Sequence, residues 1–464
     1  MTNRRPRAPI DMVNGRVLPQ LLRFAVPMML TGVLQLLYNA ADLIVVGKFT
    51  GDAAAASLAA VGATGSLVTL ILNIFIGLST GANVVIARAI GAGDNRQAGT
   101  ATHTAITVSV ICGLAVGAVS AVCAHLFVQW MGTPSDAVDG ATLYFRIVAL
   151  GFPASLVYNF GAAVLRSVGD TKRPLYFLIV SGMVNVVLNL FLVIVFHLGV
   201  AGVAIATTVS QYLSAFLVIM ALRAMHNPCR LRLHDLGINK TDLSEIIRIG
   251  VPASIQSACF NIANVMIQSS INSFGTIAVA GNTAASNLEG FVYAPMDAVA
   301  QAVLTFAGQN MGAKTYDRIP KILRNGILLV MLIAGVMGTA CCVFGSPLLS
   351  IYTDDADAIA YGVERLWYIC APYFLCGTMN CFSNTLRAMG HSTLPMFTCV
   401  GGVCGLRILL ILTVFRWYRH LSILYASFPI SWVLVIAILW VAYRILYRRL
   451  LERSKVGTVP PAVS

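Results

Sequence analysis

The chain has 464 residues, 58% of them hydrophobic and 11% charged, with a mean hydropathy of +0.81, whereas a soluble domain carries roughly 25% charged residues. That excludes an ordinary soluble protein, and apolar runs of about twenty residues recurring from end to end fit a polytopic helical membrane protein. The formal charge of +13 would suggest a nucleic-acid partner in a soluble chain. Here the basic residues cluster at the ends of apolar runs without interleaved aromatics, so they read as topology signals on an anionic cytoplasmic leaflet, with no nucleic acid bound. The 11 cysteines form no CxxC pair and sit mostly inside apolar stretches, as expected of buried free thiols in a reducing compartment. No Walker-type loop or HExxH occurs, and His197, His226 and His391 lack metal-ligand spacing, so neither an enzyme, a cofactor nor an ATP-driven pump is expected.

The N-terminal segment is basic (Arg4, Arg5, Arg7, Arg16), but the apolar run after it is too long for a signal-peptide core and lacks a cleavage-like end, so it is retained as a first span. Charge and Gly/Pro breaks predict twelve spans, near 21 to 46, 56 to 81, 101 to 123, 140 to 162, 174 to 196, 201 to 222, 249 to 273, 279 to 308, 322 to 344, 361 to 384, 395 to 415 and 421 to 443. With an even number of spans, the termini and every even-numbered connection share one side. Counting charges within five residues of a span's end with the adjoining side, that side holds 25 of the 31 Lys and Arg; the other holds Lys48, Arg365, Arg416 and Arg419, with Arg146 and Arg407 deeper inside spans. The asymmetry predicts a multi-pass plasma-membrane protein with both termini in the cytoplasm.

Two stretches recur. Leu18-Pro-Gln-Leu-Leu-Arg23-Phe-Ala-Val26-Pro27, leading into span 1, returns before span 7 as Leu243-Ser-Glu-Ile-Ile-Arg248-Ile-Gly-Val251-Pro252, offset by 225. Asn159, Arg166, Gly169 and Pro174 return as Asn380, Arg387, Gly390 and Pro395, offset by 221, as does Gly91-Ala92 in Gly312-Ala313. The sequence therefore predicts an all-α membrane protein of twelve transmembrane helices in two pseudo-symmetric six-helix lobes of like orientation. The expected division is an N-terminal lobe over 1–222, a basic cytoplasmic linker over 223–248 and a C-terminal lobe over 249–464. Asp242 and Glu245 read as a capping-box-like start for the helix into span 7.

Three acids fall within spans: Asp42, Glu289 and Asp297. A charge at the bilayer centre costs about 2.5 to 3.5 kcal/mol even on mild insertion scales, which makes each a functional candidate. Asp42 shares a helical stripe with Thr31, Gln35 and Asn39, and such a polar face in lipid looks onto a cavity or a partner helix. In a low-dielectric cavity a carboxylate can take up and release a proton as its exposure changes. The bland alternative puts Asp42 at the outer end of its span, in interfacial water. Span 7 carries a counterpart stripe of Gln256, Asn264 and Gln268, but Ile267 stands at the position matching Asp42. The acids of the second half lie instead on span 8, with Glu289 expected to meet a substrate's positive charge and Asp297 either sharing that role or pairing with Arg407. Asn185 and Asn189 on span 5, with Thr207 on span 6, supply neutral oxygens, or else act as interhelical hydrogen-bond glue. Tyr293 and Met296 offer pliable apolar contact. Gly77 and Gly81 read as close helix packing.

These residues together resemble the multidrug and toxic compound extrusion (MATE) family: the duplicated Val-Pro segments, Asp42 in Asn39-Ala-Ala-Asp42-Leu-Ile-Val-Val-Gly47, the repeated Leu-Arg-x-x-Gly ends, and Gly91-Ala-Gly-Asp94 mirrored by Gln309-Asn310-Met-Gly-Ala313. The resemblance covers nearly the whole chain. It implies a secondary antiporter that exports cationic amphipathic organic compounds by alternating access in exchange for H⁺ or Na⁺. It also implies a cation-coupling set of Asp42, Asn185, Asn189 and Thr207, with Asp42 the metal ligand if the ion is Na⁺. The family's second acid on helix 5 falls on Asn189 here, which removes one anionic ligand and shifts the expectation toward H⁺. Gln35, Asn39, Asn264, Gln268, Glu289, Tyr293, Met296 and Asp297 are the expected substrate contacts, in a protein working as a monomer. Two rivals predict other features: a flippase for a lipid-linked saccharide precursor would need a more cationic cavity, and a membrane transferase would need sizeable polar loops.

Overall fold

In lipid every backbone N–H and C=O must be paired within the segment, which restricts an apolar chain such as this one to helices or a closed barrel. The computed structural model describes residues 10–49, 54–131, 133 and 137–455, with the side chains of 47–49, 54–60, 63 and 455 set aside. Arg4, Arg5, Arg7 and the side chain of Lys48, used above for topology, lie outside the described residues. Among the described residues the protein is helical throughout, with no strand.

The first half contains α1 (Val17–Phe49), α2 (Ala54–Ala92), α3 (Asn95–Val122), α4 (Ala124–Trp130), α5 (Val138–Leu150), α6 (Phe152–Ser167), α7 (Lys172–Leu190) and α8 (Gly199–Arg223). The second contains α9 (Lys240–Asn272), α10 (Thr276–Gly312), α11 (Ile319–Val343), α12 (Gly345–Leu349), α13 (Ala356–Ile369), α14 (Tyr373–Ala388), α15 (Thr393–Cys399), α16 (Leu406–Leu412), α17 (Val414–Trp417) and α18 (Leu421–Lys455). Among the described residues, ten of the expected spans are long and apolar enough to cross a membrane, and α5 with α6, bent by 44°, makes an eleventh if the pair is taken as one span. The remaining one, expected near 361 to 384, is α13 with α14, interrupted at 370–372. Glu364, Arg365, Asn380, Asn384 and Arg387 make it far more polar than its neighbours.

The internal duplication is written into the turns. Gly169 and Gly390, 221 apart, both adopt left-handed φ (89° and 95°). Each closes its helix with the same pair of bonds: Gly169 N to Arg166 O and Asp170 N to Leu165 O in one, Gly390 N to Arg387 O and His391 N to Leu386 O in the other, all 2.9 Å. This is the glycine C-cap that a side chain would strain. A π-helical turn also interrupts span 5 (Phe191–Val195) and span 11 (Val400–Gly405).

Contacts divide the chain into two compact units: unit 1 is Met1–Ile10 with Leu30–Ser254, unit 2 is Asp11–Met29 with Ile255–Ser464. The units differ from the lobes drawn on sequence, because α1 and α9 each change unit part-way along. Both do so two residues after an internal proline, Pro27 and Pro252, where the helix lacks one backbone hydrogen bond. The start of α9 differs from expectation too. Asn239 Oδ1 accepts from Thr241 N and Asp242 N at 3.0 and 3.2 Å, so Asn239 is the cap and Asp242 lies inside the first turn.

Within unit 1, Gly77 and Gly81 of α2 lie directly on the first half of α9. A Cβ added at Gly77 would stand 2.5 Å from Ser254 N, and one at Gly81 2.3 Å from Ile246 O. Ser254 Oγ donates to Ile74 O across the same seam. Gly81→Val should therefore force the helices apart at a cost of about 1–3 kcal/mol or more and lower the melting temperature in detergent. Gly62→Ala, with nothing within 4 Å of the added carbon, should leave it unchanged.

Candidate functional site

The geometry around Asp42 starts from another close approach. A Cβ at Gly182 on α7 would meet the Tyr38 ring at 2.0 Å, so only glycine admits this ring, whose hydroxyl reaches Ile179 O at 3.5 Å. Gly182, Asn185 and Asn189 share one face of α7 by helical spacing, as Tyr38 and Asp42 do on α1. Seating Tyr38 on Gly182 thus brings Asp42 opposite the two asparagines. Asn189 Nδ2 donates to Asp42 Oδ1 at 2.5 Å and to Asn185 Oδ1 at 3.2 Å, and Asn185 Nδ2 donates to Thr207 Oγ1 at 3.4 Å. Thr207 also lies within hydrogen-bonding reach of the Asp42 carboxylate, and Tyr144 is close enough to feel its charge. All four residues of the expected coupling set are therefore in one cluster inside unit 1.

Two properties define the cluster. Asn185 and Asn189 are buried and Asp42 is half-buried, yet the partners found for the carboxylate are uncharged. Asn189 Oδ1 is buried with no hydrogen-bond donor among the described residues, an unmet acceptor beside an acid. Thr208 and Ser210, in contrast, donate to backbone carbonyls (Ile147 O, 2.9 Å; Thr207 O, 2.8 Å) and serve as packing glue.

Unit 2 answers its acid in the opposite way. Glu289 is buried and receives two bonds from Arg365, Nε to Oε1 at 2.6 Å and Nη2 to Oε2 at 2.8 Å. Arg365 Nη1 donates to Asn282 Oδ1 at 2.5 Å, Asn282 Nδ2 to Gln268 Oε1 at 2.7 Å, and Gln268 Nε2 to Asn272 Oδ1 at 3.0 Å. The chain from Glu289 to Asn272 is thus a closed hydrogen-bonded network, with the guanidinium also 5.7 Å from the Tyr425 ring.

This corrects several expectations. Arg365, counted from sequence with the outer side at the edge of its span, is buried in the third turn of α13, because Asp355 caps the helix early by accepting from Asp357 N and Ala358 N. The run Asp354-Asp355-Ala-Asp357 was the available signal, acids being favoured at a helix start. Glu289 already holds its counter-ion, so it offers no free charge to a substrate, and Gln268 is engaged in the same network. Met296 is fully buried beneath Gly377, whose added Cβ would stand 2.7 Å from Met296 Cγ. Arg407 lays its guanidinium on the Phe428 ring, 3.9 Å from its centroid, a partner not expected from sequence. Gln35, Asn39 and Asn264 are exposed, and Tyr293 is 39% exposed. A cavity of about 610 Å³ at one end of unit 2 is lined by Phe274, Asp357, Tyr361 and Glu364 among others, residues not singled out from sequence.

A family model described as MatE matches residues 27–191 and 252–413, two segments that begin at the paired prolines. The chain belongs to the MatE family. Similar MatE-type proteins include the probable multidrug resistance protein YoeA of Bacillus subtilis, 27% identical over 92% of this chain and 93% of that one. The probable multidrug resistance protein NorM of Thermotoga maritima is 25% identical over 81% of each chain. The fold is shared with a crystal structure of a MATE protein in complex with MaL6, at a TM-score of 0.88, 21% identity, and coverage of 96% of this chain and 99% of that one. A MOP superfamily transporter from Pyrococcus furiosus gives a TM-score of 0.84 at 21% identity, covering 97% and 99%. This MatE chain is a multi-pass membrane transporter.

If Glu289 and Arg365 act as a buried pair, either Glu289→Gln or Arg365→Gln alone should cost about 3–5 kcal/mol, since each strands a buried charge. The double variant E289Q/R365Q should lose clearly less than the sum of the two. Thermal unfolding of the purified protein in detergent reads this, and strictly additive losses would show that the groups do not depend on one another.

Proposed function

We propose that this MatE transporter exports amphipathic organic cations across the plasma membrane, with both termini in the cytoplasm, in exchange for protons taken up at Asp42. The observation that carries this reading is a carboxylate inside an apolar bundle answered by one amide and a hydroxyl in place of a cation. Such a group can gain and lose a proton, whereas an acid locked to arginine keeps its charge. The substitution of Asn for a second acid at position 189 leaves one negative charge for an ion. Na⁺, a hard cation that draws affinity from ligand charge, is thereby disfavoured relative to H⁺. Coupling then requires proton and substrate to favour opposite transporter states, so that each lowers the other's affinity. The whole cluster lies in one unit of one chain, so the reading needs no second copy.

The substrate class rests on separate ground. The unit 2 cavity of about 610 Å³ is within the size range of drug-sized ligands. It combines the carboxylates of Asp357 and Glu364 with the rings of Phe274 and Tyr361, a pairing suited to an organic cation. Glu364 is oriented by Ser422, whose hydroxyl donates to Oε1 at 2.6 Å. Relatives named as multidrug resistance proteins agree with a varied substrate range.

In cells expressing the protein, Asp42→Asn should abolish gradient-driven ethidium efflux while the protein still reaches the membrane. A protonophore should stop wild-type efflux and replacement of Na⁺ by choline should not; the reverse pattern would assign Na⁺, and undiminished efflux by D42N would remove the coupling role. Asp357→Asn with Glu364→Gln should weaken export of cationic substrates about tenfold, equivalent to ~1.4 kcal/mol, and spare neutral ones. Equal loss for both classes would refute the cation subsite.

A further inference from the structure

A second cavity, of about 840 Å³, lies in unit 1 where α8 ends and the chain runs back toward α9. One wall is the start of α3, with Arg96, Gly99, Thr100, His103 and Thr104; the other is the connecting segment, including His226, Arg230, Arg232 and Asn239. This segment is a built wall. Cys229, Leu231 and Met225 are buried beneath it, Leu231 N donates to Leu222 O at 3.1 Å, and Asn239 N donates to Thr104 Oγ1 at 3.0 Å. His103 clamps it to α3: Nδ1 meets Gly99 O at 2.7 Å and Nε2 accepts from Arg232 N at 3.1 Å. Because a carbonyl only accepts, Nδ1 carries the hydrogen and Nε2 is the acceptor, so this imidazole is structural and does not serve as a ligand.

Both walls of the cavity carry arginines. Among the described residues no acid pairs with Arg96 or Arg230; the Arg230 Nε donates to Arg223 O at 3.2 Å, leaving its two terminal amino groups. Arg232 is tied at 3.8 Å to Asp235, the one acid lining the cavity, and Asp94 is occupied in capping α3 through Gln97 N. Arginines from two elements that line one cavity together with Thr100 and His226 match in chemistry the oxygens of a phosphate. The volume exceeds that of a bare phosphate, and no Phe, Tyr or Trp lines the cavity to stack a base. Its α3 wall is the first three turns of a membrane-crossing helix, at the level where headgroups lie.

We propose that this cavity is a binding site for a phosphate-bearing ligand, either an anionic phospholipid headgroup or a small soluble phosphate ester, held chiefly by Arg96 and Arg230. The site is distinct from the Asp42 cluster and does not depend on the transport mechanism proposed for it.

The test uses the full-length purified protein in detergent, titrated with phosphatidylglycerol, with phosphatidylcholine and with glycerol 1-phosphate, binding being read by native mass spectrometry and thermal unfolding. The wild type should prefer phosphatidylglycerol to phosphatidylcholine, and Arg96→Gln with Arg230→Gln should weaken that binding at least about tenfold. Arg448→Gln with Arg449→Gln, which removes the same charge from α18, should leave it intact. Should the double variant fold poorly, each single change should still show a several-fold loss. Saturable binding of glycerol 1-phosphate, lost in the same variant, would assign a soluble ligand and also support the site. Unchanged binding of every phosphate probe by R96Q/R230Q, or an equal loss in R448Q/R449Q, would overturn it, since general surface charge would then explain the attraction.

Discussion

A charge buried among apolar helices must be answered, and the kind of group that answers it decides what the charge can do. In unit 1 the Asp42 carboxylate is met by Asn189 and Thr207, groups that can turn or shift to serve either a carboxylate or a carboxylic acid. In unit 2 the Glu289 carboxylate is met by both prongs of Arg365, an arrangement that loses several kcal/mol if either charge is removed. The first acid has no counter-ion among the described residues and the second has one. The two halves are related by duplication and differ in the group that answers the acid.

The setting of Asp42 depends on close helix packing. Tyr38 reaches α7 only because position 182 has no side chain, and that contact sets the register that places Asp42 opposite Asn185 and Asn189. The same device recurs where Gly77 and Gly81 let α2 lie on the first half of α9. Close backbone approach through small residues is the main means by which helices associate where lipid removes the hydrophobic drive. The proline in α1 and its counterpart in α9 mark where each helix passes from one unit to the other, so the regular packing within each unit is joined by helices that carry a built-in weak point.

Much of this was legible in the residues. The offset of 221 foretold the matching turns at Gly169 and Gly390, because a left-handed glycine after an Arg-x-x run is a local property of the chain. Asp42, Asn185, Asn189 and Thr207 stood out because polar groups in lipid are costly, and their spacing put each on a usable helix face. What sequence reading missed depended on partners distant in the chain. Arg365 looked like a charge at the outer edge of its span until the early cap at Asp355 set it in the third turn of its helix, and without Arg365 the role of Glu289 could not be judged. Met296 looked available because burial beneath Gly377 is a tertiary fact with no local signature. The two cavities, one acidic and aromatic, one basic, draw their walls from segments more than seventy residues apart and have no motif of their own.

The claim on which the account turns is that proton and substrate compete through Asp42. It is tested most directly by adding ethidium to the purified protein in weakly buffered detergent and recording the pH of the solution. The account predicts that the wild type releases protons as ethidium binds, and that Asp42→Asn binds ethidium without releasing any. Substrate binding with no proton release from the wild type, or the same release from the variant, would contradict it.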